Sequence, residues 1–305
     1  MNFNVIGVGE VLWDLLLTGP KMGGAPANFA YHAHALGARG HVITRVGNDD
    51  LGRNIIGRFR EMDLPEKTVQ VDDSAPTGTA KVSLSGDGLA HFTIQENVAW
   101  DFIAAGTEAL EAARGADAIC FGSLAQRNEV SRRTIQQLLG AAPAEALRVF
   151  DINLRQHYYS REVIEQSLRL ADVLKLNDDE LPVLAEMFVL GESDADRIER
   201  LAGLYELQVV ALTRGAQGSL LYAGGRWAEC SSRPVEVVDT VGAGDSFTAA
   251  LALGLLQKMD LDEINNVANE VARYVCSQAG ATPAMPTEFA KRFRATGPSA
   301  LHPSL

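Results

Sequence analysis

Short apolar runs rich in β-branched residues alternate with helical patterns along the chain, and this alternation constrains the fold more than any other feature. Strands are predicted at residues 4–8, 41–46, 118–121, 148–152, 173–176 and 209–213. Helices are predicted at residues 26–36, 49–62, 130–139, 162–170, 194–205, 246–257 and 262–278. Because parallel strands need long crossover connections, the alternation predicts an α/β fold whose mostly parallel sheet is covered by helices on both faces.

The composition is that of a globular protein. The chain has 305 residues, of which 47% are hydrophobic and 22% charged, which excludes disordered, collagen-like and coiled-coil chains. No internal repeat, low-complexity tract or interdomain linker stands out. Residues 1–305 are therefore expected to form a single domain.

The charge and the cysteines narrow the classes of partner and compartment. A net charge of −12 without any run of five basic residues disfavours binding to nucleic acid. No membrane span is expected, because the longest apolar helical stretch, 247–256, is too short to cross a bilayer.

The three cysteines lie far apart, which indicates neither a disulfide framework nor a zinc site and favours a cytoplasmic location. The N-terminal apolar run contains Glu10 and Asp14 and lacks a basic region, so a strand is predicted there rather than a signal peptide.

One segment interrupts the α/β alternation. Residues 79–84 and 90–94 are two short strand patterns around the turn residues Gly86, Asp87 and Gly88, which predicts a β-hairpin at about 79–96. An inserted hairpin is either an edge decoration or a lid over the carboxyl ends of the strands, where open α/β sheets bind their ligands. Both interpretations stay open at this point.

Two common nucleotide-binding motifs are missing. The chain contains no G-x-x-x-x-G-K-[ST] sequence, so it is not a P-loop enzyme. Gly7 and Gly9 follow the first predicted strand, but Leu12 stands where a dinucleotide fingerprint requires its third glycine. A Rossmann dehydrogenase is therefore disfavoured.

The most informative segment lies at 239–247, where Gly242, Ala243 and Gly244 lead into an apolar helix. The unpaired N–H groups at the start of a helix bind anions, and glycines allow a ligand to approach the backbone closely. Asp245 stands in the first turn. It is either a carboxylate favoured by the helix dipole or the base that accepts a proton from an attacking hydroxyl group in phosphoryl transfer.

A second glycine-rich segment begins a helix near the N-terminus. Gly23 and Gly24 precede Pro26, a residue favoured in the first helical turn, and Asn28 follows in the same turn. The segment either only initiates the helix or also presents its backbone and the Asn28 amide to a hydroxylated ligand.

Residues 24–47 and 239–250 together resemble the two sequence signatures of the PfkB, or ribokinase-like, family of carbohydrate kinases, and the resemblance extends over essentially the whole chain. It implies a ribokinase-like three-layer α/β/α sandwich with a mostly parallel central sheet and a small β-hairpin lid. It also implies transfer of the γ-phosphate of ATP, with Mg²⁺, to a sugar hydroxyl. Asp245 matches the catalytic base of the family, and Gly242, Ala243 and Gly244 match its anion hole.

The resemblance implies further site residues. Asp14, Gly24, Asn28 and Arg155 match positions on the sugar side, and Asn177, Glu180, Thr213, Gly215 and Gly218 match positions on the nucleotide side. Glu180 would act on Mg²⁺ through water, and Asp239 and Val241 would bind a monovalent cation, K⁺, opposite residues 276–286. Asn269 is the expected adenine-side residue, with Asn265 and Asn266 as competitors.

Two of these motifs also have purely structural interpretations. Asn177 with Glu180 three residues later is a capping box, and both roles can hold at once. The segment 213–218 is also typical of a tight connection between strands. Polar residues alternate in Asp151, Asn153 and Arg155, which predicts one common face, either exposed or directed at the substrate.

Within the family, the phrases GEVLWDLL, GGAPANFAYHA and NVAWDFI are most similar to bacterial fructokinases, so fructose is the expected substrate. The alternatives are a 2-keto-3-deoxygluconate kinase, which would use Arg155 or Arg127 for the acid, a nucleoside kinase, and a catalytically silent sugar-binding sensor. Only eight residues separate Asp14 from Gly23, which predicts a lid made of the hairpin alone and leaves a homodimer open.

Overall fold

A nine-stranded sheet forms the centre of the computed structural model, which describes residues 3–16, 19–84 and 90–293, with only the backbone given for 82–84 and 90–92. The strands are β1 (Asn4–Val8), β2 (Leu12–Leu16), β3 (Gly19–Gly23), β4 (Arg39–Gly47), β5 (Val69–Asp72), β6 (Gly78–Leu84), β7 (Ala90–Ile94), β8 (Ala118–Phe121), β9 (Leu147–Asp151), β10 (Val173–Asn177), β11 (Val209–Thr213), β12 (Ser219–Ala223) and β13 (Arg226–Cys230). The large sheet has the order β13-β12-β11-β10-β9-β8-β1-β4-β5.

Ten α-helices lie within the described residues. They are α1 (Ala25–Ala35), α2 (Asp50–Glu61), α3 (Thr107–Arg114), α4 (Glu129–Ala141), α5 (Arg161–Leu170), α6 (Glu180–Phe188), α7 (Asp194–Tyr205), α8 (Ala243–Leu256), α9 (Leu261–Cys276) and α10 (Thr287–Arg292). No described helix is both long and apolar enough to cross a membrane.

The large sheet is parallel from β5 to β11, and only β12 and β13 run antiparallel to their neighbours. The predicted α/β alternation with a mostly parallel sheet is therefore confirmed. Parallel register brings the carboxyl ends of β1, β8, β9 and β10 to one edge, where ligands bind in folds of this kind.

Apolar side chains cover both faces of the large sheet, which makes the three-layer arrangement stable. On β9, Phe150 belongs to the core beneath the helices α4 and α5, whereas Val149 belongs to the opposite core beneath α1, α8 and α9. Both side chains are fully buried. Asp151, the last residue of β9, follows the alternation onto the face of Val149 and so points toward the layer that contains α8.

The small sheet has four strands in the order β3-β2-β6-β7, so the expectation of a lid made of a hairpin alone is wrong. The predicted hairpin is present as β6 and β7, which pair antiparallel, while its turn residues 86–88 lie outside the described residues. Strand β2 pairs antiparallel with β3 and parallel with β6. A short connection between Asp14 and Gly23 therefore does not remove strands from this sheet, because β2 and β3 pair with each other along their whole lengths.

Candidate active site

The N-terminal ends of α1 and α8 meet at the carboxyl edge of the large sheet, and one side chain from each helix joins them. Asn28 of α1 donates a hydrogen bond from Nδ2 to Oδ2 of Asp245, the third residue of α8, at 2.8 Å. The two glycine-rich segments of the sequence are thus parts of one site.

The start of α8 has the geometry of an anion-binding site. Gly242 caps the helix with φ 81°, and a Cβ atom at this position would lie 2.4 Å from the carbonyl oxygen of Ala281, so only glycine fits. The N–H of Ala243 donates to Thr240 O at 3.3 Å, and that of Ser246 to Gly242 O at 2.9 Å. No described residue accepts a hydrogen bond from the N–H groups of Gly244 and Asp245. These two groups are therefore available for an anion.

Burial raises the pKa of Asp245 to about 6, and the negative charge of Asp151 acts in the same direction. The hydrogen bond from Asn28 and the positive charges of Lys175 and Arg155 oppose this increase. A carboxyl group with this pKa is mostly ionised at neutral pH, yet it accepts a proton more readily than an ordinary aspartate.

The start of α1 brings backbone and amide groups to the same place. Gly24 has φ 122°, and a Cβ atom on it would lie 2.5 Å from the carbonyl oxygen of Glu10, so the loop and the end of β1 touch through their backbones. Asn28 is 3% exposed, and its Oδ1 is buried without a hydrogen-bond partner among the described residues. An unpaired buried amide oxygen is costly unless a ligand hydroxyl donates to it.

Asp14 and Arg155 also approach this region. Asp14 lies on β2, and a Cβ atom on Gly23 of the neighbouring strand β3 would lie 2.6 Å from its Oδ2. Burial raises the pKa of Asp14, while the charge of Arg155 lowers it. Arg155 is exposed, and its charge acts on both Asp14 and Asp245. It is thus a cation that faces the site from the segment after β9.

Glu10 lies in the same region as Asp245 and Arg155, although no sequence motif predicts a role for it. Its side chain is 3% exposed, and Oε2 has no hydrogen-bond partner among the described residues. Burial raises the pKa of Glu10 to about 7, against the opposing charges of Arg155 and Arg127. A carboxyl group immediately after a buried strand was the signal in the sequence that could have identified it.

The prediction that Asp151, Asn153 and Arg155 share one face is wrong, because β9 ends at Asp151 and Asn153 adopts φ 42°. Asp151 is buried and accepts a hydrogen bond from Lys175 Nζ at 3.0 Å. The extended alternation fails where the strand stops, since the period of two holds only within a strand.

The capping box at the start of α6 is present. Asn177 Oδ1 accepts from the N–H groups of Asp179 and Glu180 at 2.9 and 2.8 Å, and Glu180 Oε2 accepts from the N–H of Asn177 at 2.8 Å. The second oxygen, Oε1, accepts from the N–H of Leu154 at 2.9 Å. Glu180 is thus fixed to the segment that carries Arg155.

The residues that the sequence predicts for the nucleotide side lie next to that box. Asn177 faces Thr213 across β10 and β11, and the turn after Thr213 contains a 3₁₀ helix, Gly215–Gln217, before Gly218. Ser219, directly after this turn, accepts a hydrogen bond from Asn269 Nδ2 at 2.5 Å. The structure therefore assembles these widely separated residues on one side of the anion-binding region.

Asn269 lines a surface cavity of about 180 Å³, together with Cys230, Ser232, Arg233 and Glu270. Of its two competitors for an adenine contact, Asn265 is 1% exposed and uses its side chain to bond Ser219 and Ala228. Asn266 is exposed, and it also borders the cavity.

Both carboxylate oxygens of Asp239 accept hydrogen bonds. Its Oδ1 accepts from the N–H of Val241 at 3.1 Å, and its Oδ2 accepts from the N–H of Gly280 at 3.1 Å and from Lys21 Nζ at 3.3 Å. Burial opposes ionisation, but these hydrogen bonds outweigh it and lower the pKa of Asp239. Within the described ranges, no three His, Cys, Asp or Glu side chains are grouped as metal ligands.

Arg127, the second cation considered for an acidic sugar, is already paired. It forms a two-pronged salt bridge with Asp101, with its Nε and Nη2 atoms each 2.8 Å from a carboxylate oxygen. Its guanidinium group also stacks 4.0 Å from the ring centre of Trp100. Both charged side chains are less than a tenth exposed, so Asp101 compensates the charge of Arg127.

Comparisons with known proteins show the family and the fold of the chain. Residues 19–288 match the pfkB family of carbohydrate kinases. A fructokinase from Klebsiella pneumoniae is 30% identical over 285 residues, which cover 89% of this chain and 91% of that protein. The crystal structure of an uncharacterized sugar kinase from Pyrococcus horikoshii in complex with ATP superimposes with a TM-score of 0.81 at 27% identity, over 95% of this chain and 99% of that one.

A fructokinase double mutant from Vibrio cholerae O395, with fructose, ADP and a potassium ion bound, has a TM-score of 0.77 at 24% identity. The superposition covers 96% of this chain and 98% of that one. At this identity the likeness is one of fold. These superpositions confirm the fold that the sequence resemblance implied.

Proposed function

The chain belongs to the pfkB family of carbohydrate kinases, and we propose that it transfers the γ-phosphate of ATP to a hydroxyl group of fructose. The observation that supports this most is the contact between Asn28 and Asp245 at 2.8 Å beside two backbone N–H groups that have no acceptor among the described residues. A base and an anion-binding backbone at one point are the parts that phosphoryl transfer requires.

In the proposed reaction, Asp245 accepts the proton of the attacking sugar hydroxyl while the oxygen–phosphorus bond forms. The N–H groups of Gly244 and Asp245 stabilise the negative charge on the transferring phosphoryl group, since they are fixed before the reaction begins. The raised pKa of Asp245, about 6, favours proton acceptance while keeping most of the group ionised near neutral pH.

The sugar-side groups suit a neutral polyol. Asp14 and the unpaired Oδ1 of Asn28 are hydrogen-bond acceptors, and the backbone at Gly24 allows close approach. Arg127 is neutralised by Asp101, so it is not a free cation for a carboxylate. Arg155 alone would remain for an acidic sugar. These features favour fructose over 2-keto-3-deoxygluconate.

The nucleotide side is proposed to consist of Asn177, Thr213, Gly215 and Gly218 near the phosphates and Asn269 near the adenine. The two sets are joined by the hydrogen bond between Asn269 and Ser219. The cavity beside Asn269, with its polar Ser232 and Arg233, is open to a base or ribose. Similar proteins whose structures contain bound ATP or ADP support a nucleotide as one of the substrates.

Mg²⁺ and K⁺ are part of the proposal. Mg²⁺, when bound, neutralises phosphate charge, and Glu180 would reach it through water, because both its oxygens also accept backbone N–H groups. K⁺ would lie at Asp239 and the Val241 carbonyl, opposite the 276–286 segment. The lowered pKa of Asp239 keeps its carboxylate anionic, and Lys21 already places one positive charge beside it.

The three free cysteines support a reducing, cytoplasmic compartment.

We further propose that the four-stranded sheet acts as a lid over the sugar. Asp14 on β2 is one of the proposed sugar contacts. Lys21 on β3 donates a hydrogen bond to Asp239, three residues before Gly242 at the start of α8. The small sheet thus reaches across the carboxyl edge of the large one. A lid in this position excludes water, which otherwise competes for the phosphoryl group.

A coupled assay of ADP release tests the substrate proposal. Purified protein with ATP and Mg²⁺ is given fructose, ribose, 2-keto-3-deoxygluconate or adenosine, each at a range of concentrations. We expect kcat/KM for fructose to exceed that for the sugar acid by more than about tenfold. A higher kcat/KM for the acid would assign the protein to the acidic sugar and leave the kinase activity standing.

A further inference from the structure

Lys175 is a buried lysine directly beneath the start of α8. Its side chain is 8% exposed, and Nζ donates to Asp151 Oδ1 at 3.0 Å. A Cβ atom placed on Gly244 would lie 3.0 Å from this Nζ atom, which means that the ammonium group packs against the backbone of the proposed anion hole. A full positive charge therefore lies beside the peptide groups that form the proposed anion hole.

Asp151 connects this charge to α8. Its second oxygen, Oδ2, is 2.8 Å from the hydroxyl oxygen of Thr248, which is also 2.9 Å from the carbonyl oxygen of Gly244. Thr248 is fully buried, one turn after Gly244. The ion pair and the hydroxyl group thus fix the first turn of α8 relative to the ends of β9 and β10.

A buried ion pair contributes little to stability on its own, because the cost of removing two charges from water offsets their attraction. Apolar residues would fill the space between β9, β10 and α8 at least as well. The position of the pair, in contact with the anion-hole backbone, therefore points to a role in the reaction.

We propose that Lys175 is a positioning residue for phosphoryl transfer. Asp151 holds its ammonium group beneath Gly244, where it adds fixed positive charge to the N–H groups of the anion hole and keeps the first turn of α8 in place. This inference rests on the proposed function, because it assumes that the N–H groups at 244 and 245 receive a phosphoryl group. In the water-poor interior such a charge acts strongly on neighbouring groups.

The same pair acts on Asp245. The charged groups whose fields reach Asp245 are Asp151, Lys175, Arg155 and Glu10, and Asn28 donates to it. After burial, which raises the pKa of Asp245 most, the charge of Asp151 raises it further and that of Lys175 lowers it. Removing Lys175 should therefore raise the pKa of Asp245, and removing the charge of Asp151 should lower it.

The experiment compares Lys175→Met, Asp151→Asn and the double variant with the full-length wild type. Calorimetry measures the affinity for ADP with aluminium fluoride, a mimic of the transferring phosphoryl group, and for ADP alone. We expect Lys175→Met to weaken the fluoroaluminate complex at least about tenfold, with little change for ADP alone. The acidic limb of the kcat profile should shift to higher pH in Lys175→Met and to lower pH in Asp151→Asn.

One control variant and one pair of variants separate this role from general packing. Lys67→Met removes an exposed lysine elsewhere and should change neither readout. Thr248→Val should weaken the fluoroaluminate complex, whereas Thr248→Ser, which keeps the hydroxyl group, should restore it. If Lys175→Met does not fold, the double variant carries the test, because it leaves no unpaired buried charge, and its fluoroaluminate complex should also weaken.

The outcomes are distinct from failure of the proposed function. A wild type without sugar-dependent ADP release would overturn the proposed function itself. An active wild type whose fluoroaluminate affinity and acidic limb are unchanged by Lys175→Met, or whose fluoroaluminate affinity is unchanged by the double variant, would overturn the role of Lys175 alone.

Discussion

Asn28 and Asp245 lie 217 positions apart in the sequence, yet the amide nitrogen of one is 2.8 Å from a carboxylate oxygen of the other. The contact joins the first turns of two helices that begin at the carboxyl edge of the large sheet. It orients the carboxylate and leaves the amide oxygen of Asn28 without a partner among the described residues. The proposed chemistry depends on this contact.

Asn28 should set the pH dependence of turnover. Its hydrogen bond to Asp245 lowers the pKa of that carboxyl group, against the larger effect of burial. Asn28→Ala removes the donor, so the pKa of Asp245 should rise. A base works only when deprotonated, and the acidic limb of kcat/KM should therefore move to higher pH. A limb at the wild-type position in a folded Asn28→Ala protein would show that this hydrogen bond does not act on the base.

Glu10 should make the protein less stable as the pH rises. Burial raises its pKa from the usual 4.5 to about 7, so the folded state holds more protons than the unfolded state between these values. Stability then falls with increasing pH across this window, by up to roughly 3 kcal/mol from this group. Glu10→Gln removes the effect, and its free energy of unfolding should exceed that of wild type more at pH 8 than at pH 5. A difference that is constant over this range, measured by urea unfolding, would contradict the raised pKa of the buried Glu10.

Turnover should be faster in K⁺ than in an inert organic cation at equal ionic strength. A cation at Asp239 and Val241 would fix the loop that leads to the N–H groups of the anion hole. Asp239→Asn removes the charge that attracts it and should abolish the difference between the two salts. Initial rates in KCl and in tetramethylammonium chloride measure the effect, and equal rates in the wild type would count against a cation site here.

Asp14 should contribute to sugar binding and not to nucleotide binding. Asp14→Ala removes an acceptor from the sugar side and leaves the partner hydroxyl unpaired, a loss to which hydrogen-bonding sites are sensitive. We expect kcat/KM for fructose to fall by about 10²-fold or more while KM for ATP changes little. Equal losses for both substrates would place Asp14 outside the sugar site.

The fold was predictable wherever periodicity and end signals agree. Helix α7 has the predicted bounds, because Ser193 caps its start and its apolar residues recur at helical spacing. The sequence predicted a strand in the N-terminal apolar run, but it did not predict β2 and β3 as separate strands. Trp13 and Asp14 in β2 do not form a clear strand pattern, and these strands exist because they pair with each other and with β6. Long-range pairing of this kind leaves little trace in the local sequence.

The site was predictable where a motif is contiguous. Gly242 and Asp245 stand together in the sequence, and the resemblance assigns roles to both. Lys175 and Glu10 are single polar residues in or after apolar strands and belong to no motif. The partner of Lys175, Asp151, comes 24 positions earlier and reaches it only across the sheet. A charged residue inside a buried strand is nevertheless a signal, since such residues are almost never buried unless paired.

The central claim is that Asp245 is the base of an ATP-dependent sugar kinase, and Asp245→Asn tests it most directly. The measurement is kcat for fructose-dependent ADP release by wild type and Asp245→Asn side by side, with thermal unfolding and ATP affinity as checks on folding. The asparagine keeps the size of the side chain and cannot accept the proton, so kcat should fall at least about 10²-fold while folding and ATP affinity persist. Near-normal turnover in a folded Asp245→Asn protein would contradict the claim.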